Sequence, residues 1–415
     1  MDEKYTQVKE LLEKYGQEQL LEQYERLYDK VEREDYLDSI LAIDFKQLKD
    51  LYEHSEQKPI FAESRIEPID FVEKDTLPKE EFEKYEKLGT DAIKSGKLAV
   101  VTMAGGQGTR LGHSGPKGTY DIGLKSHKSI FEILTDTMIK ESKKYGVDIP
   151  WYIMTSEEND AVTKSFFERH NYFGYNPKAI SFFVQGKLPM VNTDGKILVG
   201  SDGKIKLASD GHGGVFQSLK KDGVLFDMKE RGIEWVFIGG VDNVLVKPAD
   251  PILIGLAISK GDLAAGKSLI KRDPYEKVGV FCKREGRPSV IEYSEISPEM
   301  SEARLDSGEL RYAESHILCN LFNMKAIESI SGMKLPYHIA FKKAEYLDKD
   351  GVVVVPDKPN AYKFEAFLFD AFENLDDIAI LRVKREEEFA PVKNAEGEDS
   401  PETAKAMYEA FHGGN

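Results

Sequence analysis

Two stretches of the sequence pair glycines with a lysine in ways that could hold a phosphate. The first, VVTMAGGQGTRLGHSGPKGTYDIGL, runs from Val100 to Leu124. Its glycines 105, 106, 108 and 112 let backbone N–H groups close on a phosphate without side-chain obstruction. Arg110 adds a planar fork of donors and Lys117 a mobile point charge within reach of the same turn, so a triphosphate could be gripped from several sides. The second stretch, GDLAAGKS from Gly261 to Ser268, matches G-x-x-x-x-G-K-[ST] letter for letter. Read as a P-loop, it would make Lys267 and Ser268 ligands of phosphate and magnesium.

The elements around each stretch decide between them. A P-loop needs a buried strand before its first glycine and a helix after its lysine, because the helix N-terminus supplies part of the phosphate's electrostatic stabilisation. Around GDLAAGKS the order is reversed. Upstream, ADPILIGLAISKG reads as a helix capped by Asp250, with Pro251 in its first turn and Gly261 as its left-handed cap. Downstream, KSLIKRDPYE is short and limited by proline. The Gly105 loop instead follows the apolar run KLAVVTM. With WYIMTS, ISFFVQG and EWVFIGGVDN this run predicts strands buried on both faces, alternating with helical stretches. After WYIM, Thr155 and Glu158 fit a capping box at a helix start. The alternation predicts an α/β fold with a mixed, mostly parallel sheet. Asp242, in GGVDN, follows the strand WVFI and so comes at a carboxyl end, where such sheets place ligands. A carboxylate there suits magnesium, a hard cation that takes oxygen ligands and substrate phosphates.

Composition bounds the partners. The chain has 415 residues, 41% of them hydrophobic, enough for two or three domains and a substantial core. Acidic residues outnumber basic ones 73 to 57, for a net charge of −16 without a long basic run, which argues against a nucleic-acid or anionic-membrane binder. The start, MDEKYTQVKE, lacks the pattern of a secretory signal, and no apolar run approaches the ~18–20 residues that span a bilayer. A cytoplasmic location is expected. Cys282 and Cys319 are far apart and outside any CxxC spacing, so both are expected to be buried small hydrophobes. From Tyr5 to about Asp50 the pattern is helical, with Leu20, Tyr24 and Leu27 on one stripe. A linker containing KPIFAESRIEPID and KDTLPKEE precedes another helical stretch. We therefore expect a helical N-terminal region over 1–95, a catalytic domain over 96–395, and a short helix starting at Ser400 and Pro401 within 396–415.

The combination G-G-x-G-T-R-L with a following P-K resembles the nucleotidyltransferases that make nucleotide sugars. WYIMTS, FFVQGKLPM, DGHGGVF, VDNVLVKPADP, VGVFCKREGRPSVIEYSEIS, KPNAYKFEAFLFD and EEEFAPVKNA, in that order, are similar to the UTP–sugar-1-phosphate uridylyltransferase family, in particular its UDP-N-acetylhexosamine pyrophosphorylase branch. The resemblance implies a Rossmann-like, glycosyltransferase-A-like core that uses magnesium, UTP and a sugar 1-phosphate. It implies that Ala104, Gly105, Gly106, Gln107, Gly108, Thr109, Arg110 and Lys117 hold the UTP phosphates, that Gln185 and Gly211 hold the uracil side, and that Asp242 binds the metal. Gly279, Glu292 and Tyr293 fall on its sugar-side positions, and Lys363 and Lys393 on two late lysines that contact the phosphates of UTP and of the sugar 1-phosphate.

Two positions depart from the N-acetylhexosamine pattern. His212 stands where that branch has the asparagine of DGNGG, and His316 where it has a second sugar-side asparagine. Glucose-handling relatives often carry histidine at the first. Asparagine and imidazole differ in donor count and in the room they leave beside the sugar's C2 group, so these residues predict a choice relaxed towards glucose or galactose 1-phosphate. The eukaryotic enzymes of this branch continue after PVKNA into a small β-rich C-terminal domain, so a compact version of the fold is expected here. Monomer and homo-oligomer both stay open. A non-catalytic nucleotide-sugar sensor on the same fold is the rival class, disfavoured because Arg110, Lys117 and Asp242 are all retained.

Overall fold

LAVVTM, WYIMT and WVFIG are buried at every position, as expected of strands covered on both faces. The computed structural model of the chain describes residues 2–53 and 65–413, so residues 58–64 of the expected linker lie outside it. The described residues divide into two compact units. In the larger, eight strands follow one another across a sheet: β1 Val72–Glu73, β2 Leu98–Met103, β3 Trp151–Thr155, β4 Ile180–Val184, β5 Trp235–Gly240, β6 Ala264–Ile270, β7 Glu314–Asn323 and β8 Ala379–Arg382. Their order is β1-β8-β6-β7-β5-β2-β3-β4. Among these, β7 alone runs antiparallel to its neighbours, so the sheet is mixed and mostly parallel, as the alternation predicted. The run ISFFV is only half-buried, because β4 lies at an edge of the sheet and has a single neighbour, β3. Hydrophobic residues of β2, β3, β5 and β6 and of the helices Ile130–Tyr145 and Pro251–Lys260 form the core of this unit.

The helix Lys79–Lys94, expected to close the N-terminal region, belongs to the larger unit and packs on Pro251–Lys260. Two glycines make that crossing close. A Cβ at Gly89 would lie 2.0 Å from the Pro251 carbonyl oxygen, and one at Gly255 1.9 Å from that of Tyr85. The C-terminal helix Pro401–His412, with a capping box at Ser400, also belongs here.

The smaller unit joins the helices Asp2–Tyr15, Gln19–Arg26, Lys30–Leu41 and Phe45–Glu53 to two later segments, Gly186–Gly214 and Leu335–Phe367. Leu20 and Tyr24 of the predicted stripe are buried with Val8, Leu12, Leu37, Ile40, Val191, Val199 and Phe364. A three-stranded sheet, Tyr337–Lys342, Ala361–Ala366 and Val191–Asn192, carries the side these helices cover. The division of the chain therefore departs from the expected boundaries near 95 and 395, since helices 2–53 find their apolar partners in segments more than a hundred residues away. The expected capping box is also corrected. Thr155 ends β3, and its hydroxyl donates to Asp160 Oδ1 at 2.7 Å or to the Phe183 carbonyl at 3.1 Å, while the helix begins at Asp160. Among the described residues no helix is long and apolar enough to cross a membrane, and Cys282 and Cys319 are buried free thiols.

Candidate active site

The Gly105 loop leaves the carboxyl end of β2 and is held at its root. Ala104 N–H donates to the Met154 carbonyl at 2.7 Å, and the Ala104 carbonyl accepts from Asn159 Nδ2 at 3.0 Å. Asn159 is fully buried, and its Oδ1 accepts from Ser156 N–H at 2.8 Å, so one amide joins the loop to the end of β3. The loop then doubles back on itself. Gly108 N–H donates to Gly115 O at 2.9 Å and Lys117 N–H to Gly106 O at 3.1 Å, which sets Lys117 beside the glycines it was predicted to assist. Gly106, Gln107, Thr109 and Arg110 are exposed at the tip. Gln185, just past β4, comes to the same place: a Cβ at Gly105 would lie 2.7 Å from its Oε1.

Asp242 emerges next to this loop, because β5 and β2 are parallel neighbours with Met103 opposite Gly240, and Val241 N–H donates to Met103 O at 3.1 Å. Its backbone oxygen accepts from Val392 N–H at 2.9 Å, bringing the segment before Lys393 against it. Lys393 itself is half-buried, with its Nζ 3.7 Å from Asp399 Oδ2 and 5.3 Å from the centre of the Phe389 ring.

Three of the predicted sugar-side residues also meet. A Cβ at Gly279 would lie 3.1 Å from Glu292 Oε1, and the Gly279 carbonyl accepts from His316 N–H at 2.8 Å. The His316 ring is buried on β7, within 3.1 Å of Asn320 Oδ1 and edge-on to Phe281, Phe369 and Phe372. Tyr293 is exposed.

Gly211, His212 and Lys363 lie in the smaller unit. Gly211 has φ +86°, and a Cβ there would fall 2.3 Å from the Ala366 carbonyl oxygen, so this position admits only glycine. His212 stacks on Phe367 with ring centres 5.3 Å apart, and His338 stacks on the same ring at 4.2 Å. Lys363 Nζ donates to Glu365 Oε1 at 2.7 Å and to Ser209 Oγ at 3.2 Å.

The P-loop reading fails on contact as well as on order. Asp250 caps the helix Pro251–Lys260, Gly261 ends it with φ +76°, and Lys267 lies on β6 with its side chain 1% exposed. There it pairs with Asp250 at 2.9 Å and with Glu388, while Lys74 bonds the same two carboxylates at 2.7 and 3.1 Å. Burial opposes both charges, raising the Asp250 pKa and lowering that of Lys267. Pairing overrides it: Lys267 and Lys74 pull Asp250 well below the usual carboxylate range, and Asp250 and Glu388 hold Lys267 above the usual amine value. Burial also pushes the neighbouring Cys319 thiol up to about 12.

Sequence reasoning missed Asn159 and Asn243, which hold the loop and the Asp242 turn respectively. Each follows a strand within a few residues, where an asparagine reads equally as a turn residue.

The family model described as UTP–glucose-1-phosphate uridylyltransferase matches residues 44–398. The chain is 38% identical to the UDP-N-acetylglucosamine pyrophosphorylase of Saccharomyces cerevisiae, covering 97% of this chain and 89% of that one. It is 39% identical to UDP-N-acetylglucosamine diphosphorylase 2 of Arabidopsis thaliana, over 97% and 83% of the two chains. The crystal structure of the uridine diphosphate N-acetylglucosamine pyrophosphorylase from Trypanosoma brucei, in complex with an inhibitor, superposes with a TM-score of 0.84 at 30% identity, covering 99% of this chain and 85% of that one. With its glycine loop, Lys117 and Asp242 at the carboxyl ends of adjacent parallel strands, the chain belongs to the UTP–glucose-1-phosphate uridylyltransferase family and is a uridylyltransferase.

Proposed function

We propose that the chain forms a UDP-sugar and pyrophosphate from UTP and an N-acetylhexosamine 1-phosphate. The observation that carries the nucleotide half is the loop 104–117, folded back so that Lys117 stands beside Gly106 while Asp242 leaves the neighbouring strand. A sugar phosphate with a second pKa near ~6 is largely a dianion at neutral pH, so its oxygen needs no side-chain base. It attacks the α-phosphorus of UTP in line. A phosphorus–oxygen bond forms to the sugar phosphate as the bond to the bridging oxygen breaks, and pyrophosphate leaves with the electron pair. Catalysis is then positioning and charge neutralisation, to which Arg110, Lys117 and Lys393 bring cations; Lys363 is assigned a phosphate contact by the resemblance.

Asp242 would hold magnesium. Among the described residues no group of three or more His, Cys, Asp or Glu side chains is close enough to cage a metal. A single half-buried carboxylate suits an ion that takes most of its ligands from water and substrate phosphates. When bound, magnesium supplies neutralisation of phosphate charge.

The sugar is supported by relatives named for N-acetylglucosamine at 38% and 39% identity. A second reading, glucose or galactose 1-phosphate, is favoured by His212 in place of asparagine. Comparing kcat/KM for glucose, galactose and N-acetylglucosamine 1-phosphates in the wild type and in His212→Asn separates them. The proposal predicts that N-acetylglucosamine 1-phosphate is the best substrate of the wild type. Equal rates with glucose 1-phosphate, shifted by ~1–3 kcal/mol towards the N-acetylated sugar in His212→Asn, would establish the second reading instead.

A further inference from the structure

We propose that Asn243 is a positioning residue that fixes Lys393 relative to the Asp242 carboxylate; this rests on the reading of Lys393 and Asp242 as phosphate and metal groups. Asn243 is 4% exposed and uses both ends of its amide. Nδ2 donates to the Glu388 carbonyl at 2.8 Å, and Oδ1 accepts from Ala390 N–H at 2.9 Å and Leu245 N–H at 3.1 Å. A turn residue needs only the last of these. The other two reach across 145 and 147 residues to the segment that ends in Lys393. Backbone bonds continue the seam on either side, Val244 N–H to Ala390 O at 3.2 Å and Val392 N–H to Asp242 O at 2.9 Å. The far end of the segment is pinned too, since the Glu388 carboxylate is buried against Lys267 and Lys74.

One side chain therefore spans the two strands of chain that deliver Asp242 and Lys393. Aspartate could supply the acceptor bonds but not the donor, and alanine neither. A buried amide satisfied at both ends holds its neighbours to a fraction of an ångström, the tolerance that phosphoryl transfer requires of its cations.

The test is a double-mutant cycle in pyrophosphate release, with Asn243→Ala and Asn243→Asp each made in the wild type and in Lys393→Ala, and unfolding midpoints recorded for every variant. Asn243→Ala is expected to lower kcat by about a hundredfold in the wild type, as a misplaced group does, with a smaller change in the KM for UTP. In the Lys393→Ala background it should cause at most a few-fold further loss, because the two residues act as one unit. Asn243→Asp, which keeps the bonds from Ala390 and Leu245, should fall between wild type and Asn243→Ala, and it carries the same comparison should the alanine variant not fold. A slowed Lys393→Ala enzyme to which either Asn243 variant adds its full loss would overturn the proposal alone, leaving Asn243 a general support. Undiminished kcat in Lys393→Ala would overturn the reading of Lys393 and this proposal with it.

Discussion

Residues 105–117 and 261–268 both spell a phosphate site in glycine and lysine, and the fold places them in opposite settings. In the first, the glycines follow the carboxyl end of a buried strand, their tip is open to solvent, and Lys117 is half-buried beside them. In the second, Gly261 ends a helix and Lys267 points into the protein from the middle of a strand, neutralising Asp250 and Glu388. What separates them is the order of the flanking elements. A loop can present N–H groups to a ligand only where the sheet has ended, and a lysine within a buried strand must find its counter-charge inside.

The contrast predicts two lysines whose removal fails in opposite ways. Lys267→Ala leaves two buried carboxylates with Lys74, bonded to both, and Lys247, 3.8 Å from Glu388, as the neighbouring cations, and should cost about 3–5 kcal/mol of folding stability in denaturant titration. Its folded fraction should lose less turnover than Lys117→Ala loses. The pH dependence follows from the directions of the shifts. Asp250, depressed in the folded state, contributes stability that is present above the ordinary carboxylate pKa of about 4 and is lost as pH falls through the lower folded value. Lys267, raised in the folded state, contributes stability that is present below about pH 10 and is lost as pH rises further. The stability difference between wild type and Lys267→Ala should therefore be level from about pH 5 to 9 and shrink below about pH 4. A difference that vanished at pH 7 would mean that the cluster is not a structural ion pair.

Lys117→Ala should remove about 3 kcal/mol of transition-state stabilisation, by analogy with the loss of one preorganised donor, and leave the unfolding midpoint unchanged. Loss of stability without loss of kcat would reverse the assignment of the two lysines. Smaller and mixed is Asn159→Ala, which strips partners from the Ala104 carbonyl and the Ser156 amide. It should cost about 1–3 kcal/mol in stability and also lower kcat, since the loop loses its root. A purely thermal effect, with kcat intact, would show that the loop keeps its shape without that anchor.

Much of this contrast was legible in the sequence, for a local reason. Strand β2 and the helix Pro251–Lys260 declare themselves within a dozen residues, through the runs KLAVVTM and ADPILIGLAISK, and their order alone rejects the P-loop. Asp242 could be placed at a strand end in the same way. The burial of Lys267 could not be read, because its partners Asp250 and Glu388 stand 17 and 121 positions away and only the sheet brings them together. The same limit hid Asn243, whose bonds span 145 and 147 residues, and the smaller unit, which is assembled from separate segments. His316 was legible as a residue type but not as a neighbour of three phenylalanines.

The most direct test of the central claim, that the 105–117 loop serves uridylyl transfer and the 261–268 stretch does not, is pyrophosphate release from UTP with and without N-acetylglucosamine 1-phosphate, in the presence of magnesium, by wild type, Lys117→Ala and Lys267→Ala. The account predicts release by the wild type only when the sugar phosphate is present, nearly abolished in Lys117→Ala and substantially retained by the folded fraction of Lys267→Ala. Nucleotide hydrolysis that needs no sugar phosphate, or that depends on Lys267 and not on Lys117, would contradict it.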